Sequence, residues 1–358
     1  MALITTPITQ LLRIEHPILL AGMGHTAGAD LVAAVSNAGG LGVLGGLGYT
    51  PQMLRDAIIE VKQKLRHPDL PFGVDLLLPQ MGGSARKTNV DYTKGALDEL
   101  VDIIIEEKAT LFASAVGIPP NRVVDRLHEA GILYMNMVGH PKHVHKACQA
   151  GADLICAQGG EAGGHTGEIP TSVLIPACVD VCREYTSSLT GRTVQLVAAG
   201  GIFDGRGVAA ALVMGAGAVW VGTRFVTARE SAASKHGKKA IIDAGFEDTM
   251  RSTLWTGRPL RALATPYIRD WELNRRDVIE KLQSEGLVVL DHELDRLAQE
   301  RKLTDEIEDQ ATQRPMGCGA AMVTKADQSA HEIVLEMVVE AFGLLRGARK
   351  YVDQPSKL

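Results

Sequence analysis

No run of this 358-residue chain is long and apolar enough to cross a bilayer, although hydrophobic residues make up 46% of it, so a soluble fold without a membrane partner is expected. Positive charge is not in excess either. The 37 Lys and Arg stand against 42 Asp and Glu, a formal net charge of −5. A general nucleic-acid binder needs a basic face that this balance does not supply. Cysteine is scarce and unpaired: Cys148, Cys156, Cys178, Cys182 and Cys318 show no zinc-type spacing. An odd count argues for reduced thiols rather than a disulfide framework. The first residues carry no charged segment followed by an apolar core, so they do not read as a secretory signal. There is no internal repeat, and no GxGxxG follows a strand and opens a helix as a dinucleotide fingerprint does.

What the chain does have is a rapid alternation of short apolar runs and helical patterns. The runs near 17–21, 41–44, 71–76, 110–115, 132–138, 152–157, 194–198 and 218–221 read as strands. Helical patterns lie between them, near 29–38, from 51 on, and near 93–107, 121–130, 141–150, 172–183 and 206–214. Thr50 followed by Pro51 marks one helix start. Eight β/α units with strands apolar on both faces predict a (β/α)8 TIM barrel over residues 1–228, with an open doubly wound sheet as the alternative. Residues 229–312 are more charged and read as a mostly helical subdomain covering the barrel mouth. Residues 313–350 read as a return segment with an amphipathic helix near 331–345, and 351–358 as a polar tail.

Ligands bind a barrel at the C-terminal ends of its strands, and the informative residues cluster there. Gly22-Met23-Gly24-His25 follows the first strand, Asp75 ends the third, and Gln158 leads from the sixth into Ala162-Gly163-Gly164-His165-Thr166-Gly167. Glycines in such a loop let backbone N–H groups approach a ligand. An imidazole among them can exchange or orient a proton near neutral pH. Gly200-Gly201 and Gly222-Thr223 follow the last two strands, where barrels hold phosphate on backbone amides. Plainer readings stand beside these. His165 could be a structural loop residue, Gly200-Gly201 a simple turn, Asp75 a cap or ion-pair partner, and His25 a pocket group or an exposed one. His140, His143 and His145 are close in sequence, but residues two apart on a helix do not face one another, so no metal site is expected.

Taken together, 17–23, 37–42, 71–74, Gln158–Gly167, Ala199–Ile202, Val221–Phe225 and, more weakly, 316–321 resemble the nitronate monooxygenase family, formerly the 2-nitropropane dioxygenases. The resemblance implies a barrel that binds FMN. By residue, it implies that His165 is catalytic, that Gly22, Met23, Asp75, Gln158, Gly163 and Gly164 contact the flavin, and that Gly200, Gly201, Trp220, Val221, Gly222 and Thr223 lie on its phosphate side. Two residues depart from the family pattern: Asp75 stands where relatives usually carry Asn, and Trp220 where many carry Gln. The implied activity is oxidation of an alkyl nitronate, such as propionate 3-nitronate, by O2 to a carbonyl compound and nitrite. Related enzymes leave open an NAD(P)H-dependent FMN reductase acting on an enoyl thioester or a quinone. His165 would be an imidazolium if it holds a bound nitronate, or a neutral base if it deprotonates a nitroalkane. A flavin-binding module without turnover is a further alternative. The sequence closes on Ser356-Lys357-Leu358, a tripeptide read by the peroxisomal import receptor, which makes peroxisomal localisation the expectation.

Overall fold

A computed structural model describes residues 2–352; the Ser356-Lys357-Leu358 tripeptide lies outside the described residues. The strands, in chain order, are β1 (Ile18–Leu20), β2 (Gly42–Gly45), β3 (Phe72–Leu77), β4 (Leu111–Ala115), β5 (Leu133–Val138), β6 (Leu154–Gln158), β7 (Gly164–His165), β8 (Gln195–Ala199), β9 (Ala218–Val221), β10 (Thr249–Ser252) and β11 (Leu260–Leu263).

Eight of them form one parallel sheet in the order β1-β9-β8-β6-β5-β4-β3-β2. A parallel bridge between Leu19 and Leu41 joins its two ends. The sheet is therefore a TIM barrel, and the open doubly wound alternative is excluded. Side chains alternate across each strand. Leu19, Val43, Leu111, Met135, Cys156, Val197 and Trp220 fill the barrel. Ile18, Leu44, Val74, Phe112, Ile155 and Val221 face the surrounding helices. A helix that the strand-and-helix pattern did not announce, Pro7–Leu12, brings Ile8 and Leu12 to the barrel interior.

The helices begin where local chemistry directs. Thr50 accepts a hydrogen bond from the Met53 amide, with Pro51 in the first turn. The helix expected from Thr93 starts only at Leu97. The Asp91 carboxylate takes the amides of Thr93 and Gly95, and Lys94 and Gly95 adopt positive φ, so this stretch is a turn.

Beyond β9 the expected helices are joined by a short hairpin. β10 and β11 form an antiparallel hairpin, and β11 pairs with β7, so that Leu260 lies opposite His165. The helices that follow share an apolar cluster with Leu254, built on Ile268, Trp271, Ile279, Leu282 and Leu290. The helix Ala330–Gly347 opens with a reciprocal Ser329–Glu332 cap. It lies against the helix Gly205–Val213, where a side chain at 205 would meet the Ala341 amide nitrogen at 2.5 Å. No helix among the described residues is long and apolar enough to cross a membrane.

Candidate active site

Strand alternation aims specific side chains at the barrel mouth. Asp75 near the end of β3, Gln158 at the end of β6 and Trp220 on β9 all share the inward parity of the barrel core. Together with the strand-end loops they line a cavity of about 1790 Å3. A small-ligand pocket commonly holds roughly 300–1,000 Å3, so there is space for a large cofactor and a substrate beside it. Gly22, Met23, Asp75, Gln158, Gly163, Gly164, His165, Gly200, Gly201, Trp220, Gly222 and Thr223 all line this cavity. Val221 does not: its side chain belongs to the outer core, and its carbonyl accepts from the Ala21 amide.

The glycine-histidine loop is held from three sides. The Gln158 side-chain amide donates to the His165 carbonyl, and the Thr166 hydroxyl donates to the Gly159 carbonyl at 2.7 Å. The return segment closes over the loop, with the Cys318 amide donating to the Glu161 carbonyl at 2.9 Å. Contact there is so close that a Cβ on Gly163 would stand 2.7 Å from the Met316 carbonyl carbon. This explains the glycine without any appeal to flexibility.

His165 Nε2 lies 3.0 Å from the Thr256 hydroxyl oxygen, which the β10–β11 hairpin supplies. Burial, with the Arg258 guanidinium as a second cause, lowers the imidazole pKa to about 4. At neutral pH the ring is therefore uncharged. The positive charge at this wall belongs to Arg258 and to Arg86, which donates to the Gly257 carbonyl at 3.3 Å. Arg258 is the one that acts on the imidazole. It donates to Asn89 Oδ1 at 3.1 Å, and the charges acting on it are those of Arg86 and Tyr92. Among the described residues no carboxylate lies within ion-pair distance of it.

Across the mouth, Gly200 and Gly201 have successive positive φ values of 102° and 68°. L-residues avoid this conformation, which turns backbone amides toward the cavity. Among the described residues, the amides of Gly201, Gly222 and Thr223 find no acceptor. They could hold a phosphate. The Thr223 hydroxyl accepts from the Gly317 amide at 3.0 Å, which ties the return segment to this side. Asp75 is 2% exposed, its Oδ1 has no partner, and burial raises its pKa to about 8. Among the described residues it caps no helix and joins no ion pair.

His25 lines the cavity and packs against Tyr49, ring centroids 5.5 Å apart. Of the other histidines, His140 and His143 lie together at the cavity rim, ring centroids 5.8 Å apart, and His145 turns to Tyr185. His140 Nδ1 accepts from the Lys142 amide at its helix start, and His145 Nδ1 meets the Tyr185 hydroxyl at 2.9 Å. Thr256 and Arg258 escaped the sequence reading. Their signal was a Gly257-Arg258-Pro259 turn between two four-residue strands too short to stand out among charged helices.

A TIM barrel whose mouth combines orphan amides, close-approach glycines and a half-buried histidine has the form of a cofactor-dependent barrel enzyme. The chain belongs to the nitronate monooxygenase family, which it matches over residues 5–340; it is a flavin-dependent oxidoreductase. It is 37% identical over 271 residues to a Mycobacterium tuberculosis protein named (3aS,4S,5R,7aS)-5-hydroxy-7a-methyl-1-oxo-octahydro-1H-indene-4-carboxyl-CoA dehydrogenase, covering 76% of this chain and 69% of that one. It is 32% identical over 300 residues to a Staphylococcus saprophyticus protein named "probable nitronate monooxygenase", covering 74% and 80%. Among solved structures, FabK from Thermotoga maritima superposes with a TM-score of 0.77 at 31% identity, covering 97% of this chain and 99% of that one. The nitroalkane oxidase of Streptomyces ansochromogenes gives 0.74 at 25%, covering 97% and 99%.

Proposed function

We infer that the protein binds FMN across the barrel mouth and oxidises alkyl nitronates with O2, giving a carbonyl compound and nitrite. The flavin phosphate is assigned to the amides of Gly200, Gly201, Gly222 and Thr223, with Trp220 and the backbone of Val221 beside them. The ring is assigned to Gly22, Met23, Asp75, Gln158, Gly163 and Gly164. His165 is assigned as the catalytic residue. When bound, the flavin supplies the redox chemistry.

The observation that carries this reading is the pairing of a neutral His165 with Arg258, a cation without a carboxylate partner. An anionic nitronate needs fixed positive charge, and Arg258 provides it without an imidazolium. His165 is then free to donate or accept one hydrogen bond at the reacting end, and to take the α-proton when a neutral nitroalkane enters. Of the two protonation states open to it from sequence, the burial of the ring favours the neutral one. The hairpin and the return segment wall this space, which limits water around the anion and strengthens its interaction with Arg258.

A second reading has its own support. His140, Lys142, His143 and Lys146 line one rim of the same cavity, and none of them has a carboxylate within ion-pair distance among the described residues. A phosphorylated nucleotide tail would suit that rim, as in NAD(P)H-dependent reduction of an enoyl thioester or a quinone. The FabK and CoA dehydrogenase names of similar proteins point the same way. An anaerobic bleaching assay separates the two. Loss of flavin absorbance with propionate 3-nitronate but not with NADH or NADPH, followed by O2 uptake and nitrite release, supports the monooxygenase. Rapid bleaching by a nicotinamide, with none by the nitronate, overturns it.

A further inference from the structure

Among the described residues, Asp75 is the one buried acid in the cavity without a partner. Its neighbours across the sheet are Gly45 on β2 and Ala113 on β4, and neither carries a donor or a charge in its side chain. From β6, Cys156 is the titratable group that feels it, and that thiol is itself pushed well up by burial and by Asp75. On the remaining side stands Gly22. A side chain there would place a Cβ 2.5 Å from both the Cβ and Oδ2 of Asp75. No Lys, Arg or His lies within ion-pair distance among the described residues, and neither carboxyl oxygen receives a hydrogen bond.

A buried carboxylate with no cation and no donor costs several kcal/mol, about what it takes to keep the proton on instead. The protonated form answers that cost but creates a new demand. Its O–H is a donor, and the facing residues Gly45, Ala113 and Gly22 carry no side-chain acceptor for it. The open side is the cavity, so what fills the cavity is the partner available to it. A flavin ring presents carbonyl oxygens and ring nitrogens that accept. An Asn at this position would also donate, but it could never lose its proton.

We propose that Asp75 meets the flavin as a neutral carboxylic acid that donates its O–H to the ring system, and that loss of this proton places a negative charge there that disfavours flavin reduction. The inference rests on the placement of flavin in this cavity. Burial already holds the acid protonated to about pH 8, and a covering ligand removes more water, so the transition falls at or above that value. The proton leaves to solvent through the cavity mouth, and no other group need change charge.

The experiment compares wild type with Asp75→Asn as flavin-loaded protein. Bound flavin is measured first, by absorbance. Reduction is then measured by dye-equilibrated titration at several values from about pH 6 to about pH 10. In wild type the ratio of reduced to oxidised flavin at fixed potential should fall away from that of D75N as pH passes the transition. The expected loss is about ten- to hundredfold for one charge a few ångströms from the ring. Below the transition the two proteins should track each other. Infrared spectroscopy of wild type needs no variant to hold flavin: a protonated-carboxyl band should be present at neutral pH and shift when flavin binds. Potentials that stay parallel over the whole range, or the absence of that band, overturn the proposal. Wild-type protein that takes up no flavin overturns it together with the site assignment beneath it.

Discussion

His165 and Thr256 are separated by 91 positions in the sequence, yet Nε2 of the imidazole lies 3.0 Å from the threonine hydroxyl. The histidine hangs from the barrel loop, whereas its partner hangs from the β10–β11 hairpin, and the β7–β11 pairing fixes the distance between them. The hydroxyl can donate to Nε2 or accept from it, and in either sense it holds the plane of the ring. Replacing Thr256 with Val keeps the shape and deletes the hydrogen bond. Turnover of nitronate should fall about three- to tenfold, the worth of one neutral hydrogen bond. Flavin content should be unchanged. Steady-state kinetics beside the absorbance ratio of flavin to protein tests this.

The barrel could be read from the sequence because each unit announces itself. Runs such as 154–157 and Ala218–Val221 are apolar on both faces, and caps such as Thr50-Pro51 sit where helices begin. The residues at the strand ends could be read for the same reason, since fold class alone places them at the mouth. Thr256 and Arg258 could not. Their position depends on an antiparallel pairing between Gly164–His165 and Leu260-Arg261, a contact with no local periodicity to betray it. The neutrality of His165 was also out of reach, because it follows from burial and from Arg258, both set by tertiary packing. The turn at 91–96 shows the converse failure. Helix-compatible residues there were overruled by an Asp91 side chain that captures two amides.

Arg258 is assigned to hold the substrate anion, so its loss should appear in KM. For Arg258→Met, which keeps much of the stem's packing, KM for a nitronate should rise about ten- to hundredfold, the range for a charge-assisted hydrogen bond. A neutral nitroalkane should feel little of this. The same change removes a cation that depresses the His165 pKa, so the imidazole should titrate at a higher pH in the variant. Nuclear magnetic resonance of the histidine ring protons, followed through a pH series, reads that shift. An unchanged KM together with an unchanged imidazole titration would remove Arg258 from the site.

The phosphate assignment makes a prediction about backbone alone. Gly201 has φ 68°, and an added Cβ would lie 3.3 Å from Glu161 Cβ. Gly201→Ala therefore meets both left-handed strain and a tight neighbour. Strain of about 1–2 kcal/mol, relieved by turning the amides away from the cavity, should weaken flavin binding roughly 5- to 30-fold. Fluorescence titration of flavin into stripped protein measures it. The Gly343→Ala control, on a helix position with nothing within 4 Å of the added carbon, should bind flavin as wild type does.

Asp75 also leaves a mark on stability that needs no flavin. Its pKa is raised from 3.8 to about 8 in the fold. Between those values the native protein binds a proton that the unfolded chain has released. The unfolded state binds fewer protons, so stability must fall as pH rises through this window. Below about pH 4 both states are protonated and the slope vanishes; above about pH 8 both are ionised and the loss is complete, several kcal/mol at most. Asp75→Asn has no proton to lose. Whatever constant offset the buried amide introduces, the melting temperature of D75N relative to wild type should climb steadily from about pH 4 to about pH 8 and then level off. Calorimetry on stripped protein follows the difference directly. Melting curves that stay a fixed distance apart would mean that Asp75 is ionised in the fold, and would require a cation or donor beside it that this packing does not contain.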